Sequence, residues 1–227
     1  MLTAPGLCWL CRMPLALARW GICSVCTQAL KMRINVCPQC GLPATCGVFP
    51  CGRCLQKPPP WQALVAVNDY LPPLSTLIHR LKFLRQPEIA SALARLLLLA
   101  AQNARRQQGH PWPDRLIAVP LATRRQWQRG FNQSDLLCCP LARWLGCEYD
   151  PCAIKRIRAT PVQHHLRARL RRQNVKNAFR LELPVRGLHI AIVDDVVTTG
   201  STAAEIAHLL LRSGAATVQV WCLCRTL

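Results

Sequence analysis

The sequence predicts an α/β protein: a mostly parallel sheet covered by helices on both faces, preceded by a small module built on cysteines. Three observations carry this expectation. From residue 62 onward, short apolar runs alternate with longer amphipathic ones, the pattern of strands joined by crossover helices. Four CxxC pairs crowd into the first 54 residues. Toward the other end an apolar run enters two adjacent carboxylates and a hydroxyl-rich loop, HIAIVDDVVTTGS from His189 to Ser201. In an open α/β sheet, ligands sit beyond the carboxyl ends of the strands.

The cysteine module comes first. Cys8 and Cys11, Cys23 and Cys26, Cys37 and Cys40, and Cys51 and Cys54 form the pairs, separated by eleven, ten and ten residues. A CxxC turn places two thiolates on one side of a tight knuckle, and two knuckles complete a closed, tetrahedral, structural Zn2+ site. Neighbour pairing gives one site from Cys8, Cys11, Cys23 and Cys26 and another from Cys37, Cys40, Cys51 and Cys54; interleaved pairing is the alternative. The arrangement resembles a double zinc ribbon over residues 1–57. So short a stretch builds a poor core alone, so metal ligation would supply its folding free energy. A redox use of the pairs is the rival reading, but four repeats exceed what a thioredoxin-like site needs. Cys46 is a spare.

KPPPW, Lys57 to Trp61, marks a stiff linker, and residues 62–227 form the larger domain. LVAVNDY (Leu64 to Tyr70) reads as a strand, LSTLIHRLKF as a helix, Glu88 to Gln107 as a longer helix, and RLIAVPL (Arg115 to Leu121) as a buried strand. A helix NQSDLLCCPLARWL, a polar basic segment, the strand HIAIVDDVV, a helix from Ser201 to Ser213 and a final strand TVQVWCLC complete the order. The run LARLLLLAA, Leu93 to Ala101, is too short to span a bilayer and holds Arg95, so it reads as a buried amphipathic helix and no membrane insertion is expected. Met1 to Leu17 lacks the basic start of a secretory signal. A cytoplasmic location is therefore expected, where paired cysteines point to metal before disulfides.

The formal net charge is +19, from 29 basic and 10 acidic residues. Two four-thiolate zinc sites would lower it only to about +15. Such a field favours polyanions. No acidic residue occurs in the first 56, where Arg12, Arg19, Lys31, Arg33 and Arg53 are interleaved with Trp9, Trp20 and Phe49. That mixture suits a single-stranded nucleic acid surface, although the rings also suit a small core. From Lys155 to Arg180 nine residues are Lys or Arg and none is acidic, which reads as a flexible lid, a nucleic acid track or a solvated basic face. His164 and His165 lie within this run and lack the partners of a metal site.

The loop after Asp194 and Asp195 suits a sugar phosphate. A helix N-terminus offers unpaired N–H groups and partial positive charge to an anion. Thr198, Thr199, Ser201 and Thr202 add hydroxyl donors, and Gly200 lets the backbone turn. The two carboxylates suit ribose hydroxyls or Mg2+, which prefers oxygen ligands. A bland alternative exists: Thr202 with Glu205 fits a capping box, and the hydroxyls would then only cap the helix.

This stretch resembles the phosphoribosyl-pyrophosphate (PRPP) binding motif of type I phosphoribosyltransferases. Four further segments are similar to the ComF family of competence proteins, and within it to the GntX-like DNA-utilisation proteins: IHRLKF (Ile78 to Phe83), VPL with RRxxxRGFNQ (Val119 to Leu121, Arg124 to Gln133), RxRATxxQ (Arg156 to Gln163) and RxxNVKNAF (Arg171 to Phe179). The resemblance implies a type I phosphoribosyltransferase-like sheet behind an N-terminal double zinc ribbon, a role in using external DNA, and a PRPP-like ligand with Mg2+. Arg124, Arg125 and Arg129 match where such folds hold pyrophosphate, and guanidinium forks suit it. In a transferase, Arg129 and Lys82 would stabilise charge on the departing pyrophosphate. Two functions follow. One is a DNA-utilisation protein binding single-stranded DNA and a phosphoribosyl ligand, working with an uptake or helicase partner, since the chain has no Walker P-loop of its own. The other is an active Mg2+-dependent phosphoribosyltransferase with an acceptor that the sequence leaves open.

Overall fold

The apolar runs of the larger domain form a parallel sheet whose two faces bury different residues of each strand, which is what a sheet covered on both sides requires. In the computed structural model, which describes residues 6–30, 35–84, 86–121, 130–158 and 176–226, this sheet contains β1 (Ala63–Asp69), β2 (Arg115–Ala118), β3 (Glu148–Tyr149), β6 (His189–Val197) and β7 (Thr217–Arg225). Its spatial order is β1-β7-β6-β2-β3, and every pairing is parallel. β6 lies at the centre, between β7 and β2.

Alternation along β6 splits the core. Ala191 and Val193 join α3 (Leu74–Phe83), α4 (Ile89–Gln108) and α5 (Gln133–Leu145) on one face. Ile190 and Ile192 join α6 (Ser201–Arg212) on the other. The second face is closed by a two-stranded antiparallel ribbon of β4 (Ile154–Arg156) and β5 (Phe179–Leu181), which supplies Ile154 and Phe179. Two residues per turn along a strand and one apolar stripe per helix generate these layers.

The boundaries differ from expectation where backbone chemistry intervenes. The strand expected through Leu121 stops at Ala118. Val119 still donates to the Val193 carbonyl at 2.9 Å, but Pro120 has no N–H to continue the ladder. The ribbon β4/β5 was masked in the sequence by the basic residues around it. Among the described residues, no helix is long and apolar enough to cross a membrane.

The cysteine module contributes two short helices, α1 (Ser24–Ala29) and α2 (Gly52–Gln56), and a 3-10 turn at Ala18–Trp20. Cys8, Leu15, Ile22 and Leu30 are buried in the same apolar cluster as α3 and α4. Trp9 and Trp20 lie under guanidinium groups of the larger domain: Arg80 stacks on Trp9 at 5.0 Å and Arg95 on Trp20 at 4.5 Å. Those two ring faces are thus occupied within the chain, while Phe49 is 70% exposed.

Candidate functional site

Two groups of four thiols form in the module, and the pairing is sequential. Cys8, Cys11, Cys23 and Cys26 converge, as do Cys37, Cys40, Cys51 and Cys54, with all Sγ atoms of a group within 4.8 Å of one another. Sγ–Sγ separations of 3.7 Å (Cys11 to Cys23), 3.9 Å (Cys37 to Cys54) and 3.7 Å (Cys40 to Cys51) match the edge of about 3.8 Å of a tetrahedron with metal–sulfur bonds near 2.3 Å. Interleaving is excluded because the first knuckle faces the second and the third faces the fourth.

Backbone amides aim at these sulfurs. The N–H of Cys23 donates to Cys8 Sγ at 3.4 Å, and that of Cys51 donates to Cys37 Sγ at 3.2 Å. Burial works against charge on Cys8, yet the N–H groups of Cys23, Cys11 and Leu10 bring its thiol down to about 6. Burial and the neighbouring thiols push Cys26 up to about 12. Four sulfurs packed this closely cannot all ionise without a cation among them, and this donor set fits one. Cys46 stands outside both groups and is exposed.

The second site lies at the carboxyl edge of the sheet. Asp194 and Asp195 follow the continuously buried run 190–193 of β6, and Lys82, from the last turn of α3, reaches Asp195 Oδ2 at 2.8 Å. The Asp195 N–H donates to Asp194 Oδ1 at 2.8 Å. Burial, followed by the charge of Asp195, pushes the Asp194 carboxyl up to about 8; the Asp195 amide, Lys82 and a hydrogen bond with Ser134 oppose the shift. Ser134 is buried in the first turn of α5, behind Asn132, whose side chain caps that helix by accepting from Ser134 N and donates to the Val119 carbonyl. Each carboxylate of the acid pair therefore already has protein partners.

Beyond the pair, Thr198 and Thr199 are exposed and Gly200 opens α6 at φ +73°. That left-handed backbone favours glycine, and a Cβ there would stand 3.1 Å from the Trp61 ring. The Thr199 hydroxyl shares a 2.8 Å hydrogen bond with that of Ser201 and accepts from Ser201 N at 3.3 Å. The capping box does not form. Glu205 instead accepts from Asn177 N at 2.7 Å, tying the segment before β5 to the second turn of α6, so Thr202 is not drawn into a reciprocal cap.

The loop is held from behind by Arg225, the last residue of β7, which is 9% exposed. Its Nη1 donates to the carbonyls of Val197 and Thr198, and its Nε donates to the Cys40 carbonyl at 2.8 Å. Sequence reasoning missed Arg225, Trp61 and Ser134. A buried charge ending an apolar strand was the available signal for Arg225, but nothing local couples it to a knuckle 185 positions away. Lys82, Asp194, Asp195 and Thr198 to Thr202 come together as one edge of the sheet. Arg124, Arg125, Arg129, His164 and His165 lie outside the described residues.

Fold and sites together define an α/β protein with an acid pair and a hydroxyl-rich loop at the carboxyl edge of its sheet and two four-cysteine clusters. The chain is 72% identical over 227 residues to DNA utilization protein YhgH of Salmonella typhi, covering 100% of both chains. It is 44% identical over 223 residues to competence protein F of Haemophilus influenzae, covering 96% of each. The chain belongs to this ComF family of competence and DNA utilization proteins. No family model matches it. Among solved structures it is similar to the glutamine PRPP amidotransferase from B. subtilis, with 19% identity and a TM-score of 0.41 over 70% of this chain and 31% of that one. A structure of the allosteric regulatory enzyme of purine biosynthesis has 22% identity and a TM-score of 0.39, over 59% of this chain and 26% of that one.

Proposed function

We propose that this chain is a DNA-utilisation protein that binds single-stranded DNA and holds a PRPP-like phosphoribosyl ligand at the loop Thr198 to Thr202, with zinc in both cysteine clusters. The observation that carries the ligand reading is the loop: a left-handed Gly200 opens α6, the capping box is not made, and an acid pair with Lys82 adjoins it. The α6 amides and the hydroxyls of Thr198, Thr199, Ser201 and Thr202 would meet the phosphate, and Asp194 and Asp195 the ribose hydroxyls. Zinc suits closed four-thiolate sites, where it has structural work only.

The net charge of +19 and the relatives' DNA role support the nucleic acid reading. Phe49 and Arg53, both exposed on the second cluster's arm, offer a ring and a cation of the kind that single strands use. The second reading is an active Mg2+-dependent phosphoribosyltransferase. The adjacent carboxylates favour it, since they supply the oxygen ligands that Mg2+ prefers. Against it, one Asp195 oxygen is already taken by Lys82. In that reading Arg129, with Lys82, would meet the departing pyrophosphate, and a partner protein would provide DNA uptake or unwinding.

Calorimetry of the zinc-loaded protein with PRPP, with and without Mg2+, tests the site. Asp194→Asn and Asp195→Asn weaken binding while zinc content stays at the parent level; equal affinity removes the assignment. Affinity for short single-stranded oligonucleotides falls with salt, with a log–log slope of about −0.7 for each phosphate contacted. A flat salt response, or no binding, sinks the nucleic acid reading.

A further inference from the structure

The second cysteine cluster grips the sheet through its backbone. In the knuckle between Cys37 and Gly41, three successive carbonyls accept hydrogen bonds from the larger domain. Pro38 accepts from Leu64 N at 2.9 Å, Gln39 from Trp61 Nε1 at 2.7 Å, and Cys40 from Arg225 Nε at 2.8 Å. Two of these donors also touch the anion loop. The Trp61 ring packs against Gly200, and Arg225 Nη1 holds the carbonyls of Val197 and Thr198.

The orientation matters for binding. A trans peptide points its C=O and N–H in opposite directions. Holding the Val197 and Thr198 carbonyls on Arg225 therefore turns the Thr198 and Thr199 amides away from it, outward at the exposed bend of the loop. A guanidinium is a planar fork with five donors and can span carbonyls of two separate segments at once, whereas an ammonium is a point donor. Burial lowers the affinity of Arg225 for its proton, so the surrounding carbonyls must compensate for its desolvation. One of those carbonyls belongs to a metal-ligating residue. Loss of metal from Cys37, Cys40, Cys51 and Cys54 releases the knuckle and takes the Cys40 carbonyl from the fork.

We propose that Arg225 is a positioning residue through which metal occupancy of the second cysteine cluster sets the shape of the anion loop, so that phosphate-ligand binding at Thr198 to Thr202 depends on a metal site that does not touch the ligand. The consequence for affinity rests on the reading of the loop given above; the mechanical coupling does not.

The test uses the full-length, metal-loaded protein and two readouts: hydrogen exchange of the loop peptide, and calorimetry with PRPP. Arg225→Lys keeps the charge and leaves metal content unchanged, but exchange across residues 198–202 rises about tenfold and PRPP affinity falls about tenfold, the scale of losing one charge-assisted hydrogen bond. Cys51→Ser, with one metal fewer, gives the same loop signature. Arg95→Ala, which disturbs only the docking of the first cluster, leaves the loop at the parent rate. Loop exchange at the parent rate in Arg225→Lys overturns the proposal, whether or not Cys51→Ser folds. Should the parent bind no PRPP while both variants still loosen the loop, the coupling stands and the ligand reading falls.

Discussion

The two cysteine clusters share a donor set and the CxxC form of each knuckle but attach to the rest of the chain by different physics. The first is sunk into the main apolar core. Cys8 and Ile22 are fully buried among residues of α3 and α4, a Cβ on Gly21 would meet the Ala92 Cβ at 2.6 Å, and two arginine–tryptophan stacks seal the contact. The second keeps a small apolar cluster of its own, made of Cys37, Cys40 and Cys54 with Leu42 and Ala44. It meets the sheet through hydrogen bonds to three consecutive carbonyls. Area burial is non-directional, so the first cluster contributes stability. Hydrogen bonds are directional, so the second can fix the geometry of what it touches.

The strongest attack on this contrast is to remove a buried ligand of the first cluster. Cys8→Ser destabilises the whole chain by at least about 3 kcal/mol, a fraction of the ~10–16 kcal/mol apparent binding free energy of structural zinc in small peptides. Urea unfolding followed by tryptophan fluorescence reads the change. An equal global loss in Cys51→Ser would erase the asymmetry. Next in size is Gly200→Ala, which forces a Cβ into left-handed backbone beside Trp61. It costs roughly 1–2 kcal/mol and weakens PRPP binding, with metal content unchanged; parent-like affinity would mean that the bend is not part of the site. The smallest effect belongs to Arg95→Ala, which removes the stack on Trp20 and the 3.3 Å hydrogen bond to the Ile22 carbonyl. About 1 kcal/mol of stability is lost, seen as a lower urea midpoint with an unaltered slope, and ligand affinity does not move.

Much of the site was legible because its parts are close in sequence. The acid pair, the loop and the start of α6 are one continuous string, and the CxxC spacing announced eight ligands at once. Competing local signals needed the structure to arbitrate. Thr202 and Glu205 carry a capping box in their spacing, yet Glu205 is claimed by Asn177, a residue whose position beside α6 depends on the β4/β5 ribbon. Trp9 and Trp20 looked equally suited to stacking on bases or packing inward. The arginines of α3 and α4 cover one face of each of those two rings, while Phe49 stays exposed.

The sequence by itself determined the main strands and helices, the metal-type donors and the acid pair with its hydroxyl-rich loop, because periodicity, CxxC spacing and the Asp-Asp-to-Gly string act over a few residues and need no distant partner. Tertiary structure alone decided which knuckles face each other, that Lys82 sits on Asp195, and that Arg225 joins a knuckle to a loop. Those contacts form between segments separated by scores of residues, and only the order of strands in the sheet brings their ends to one edge.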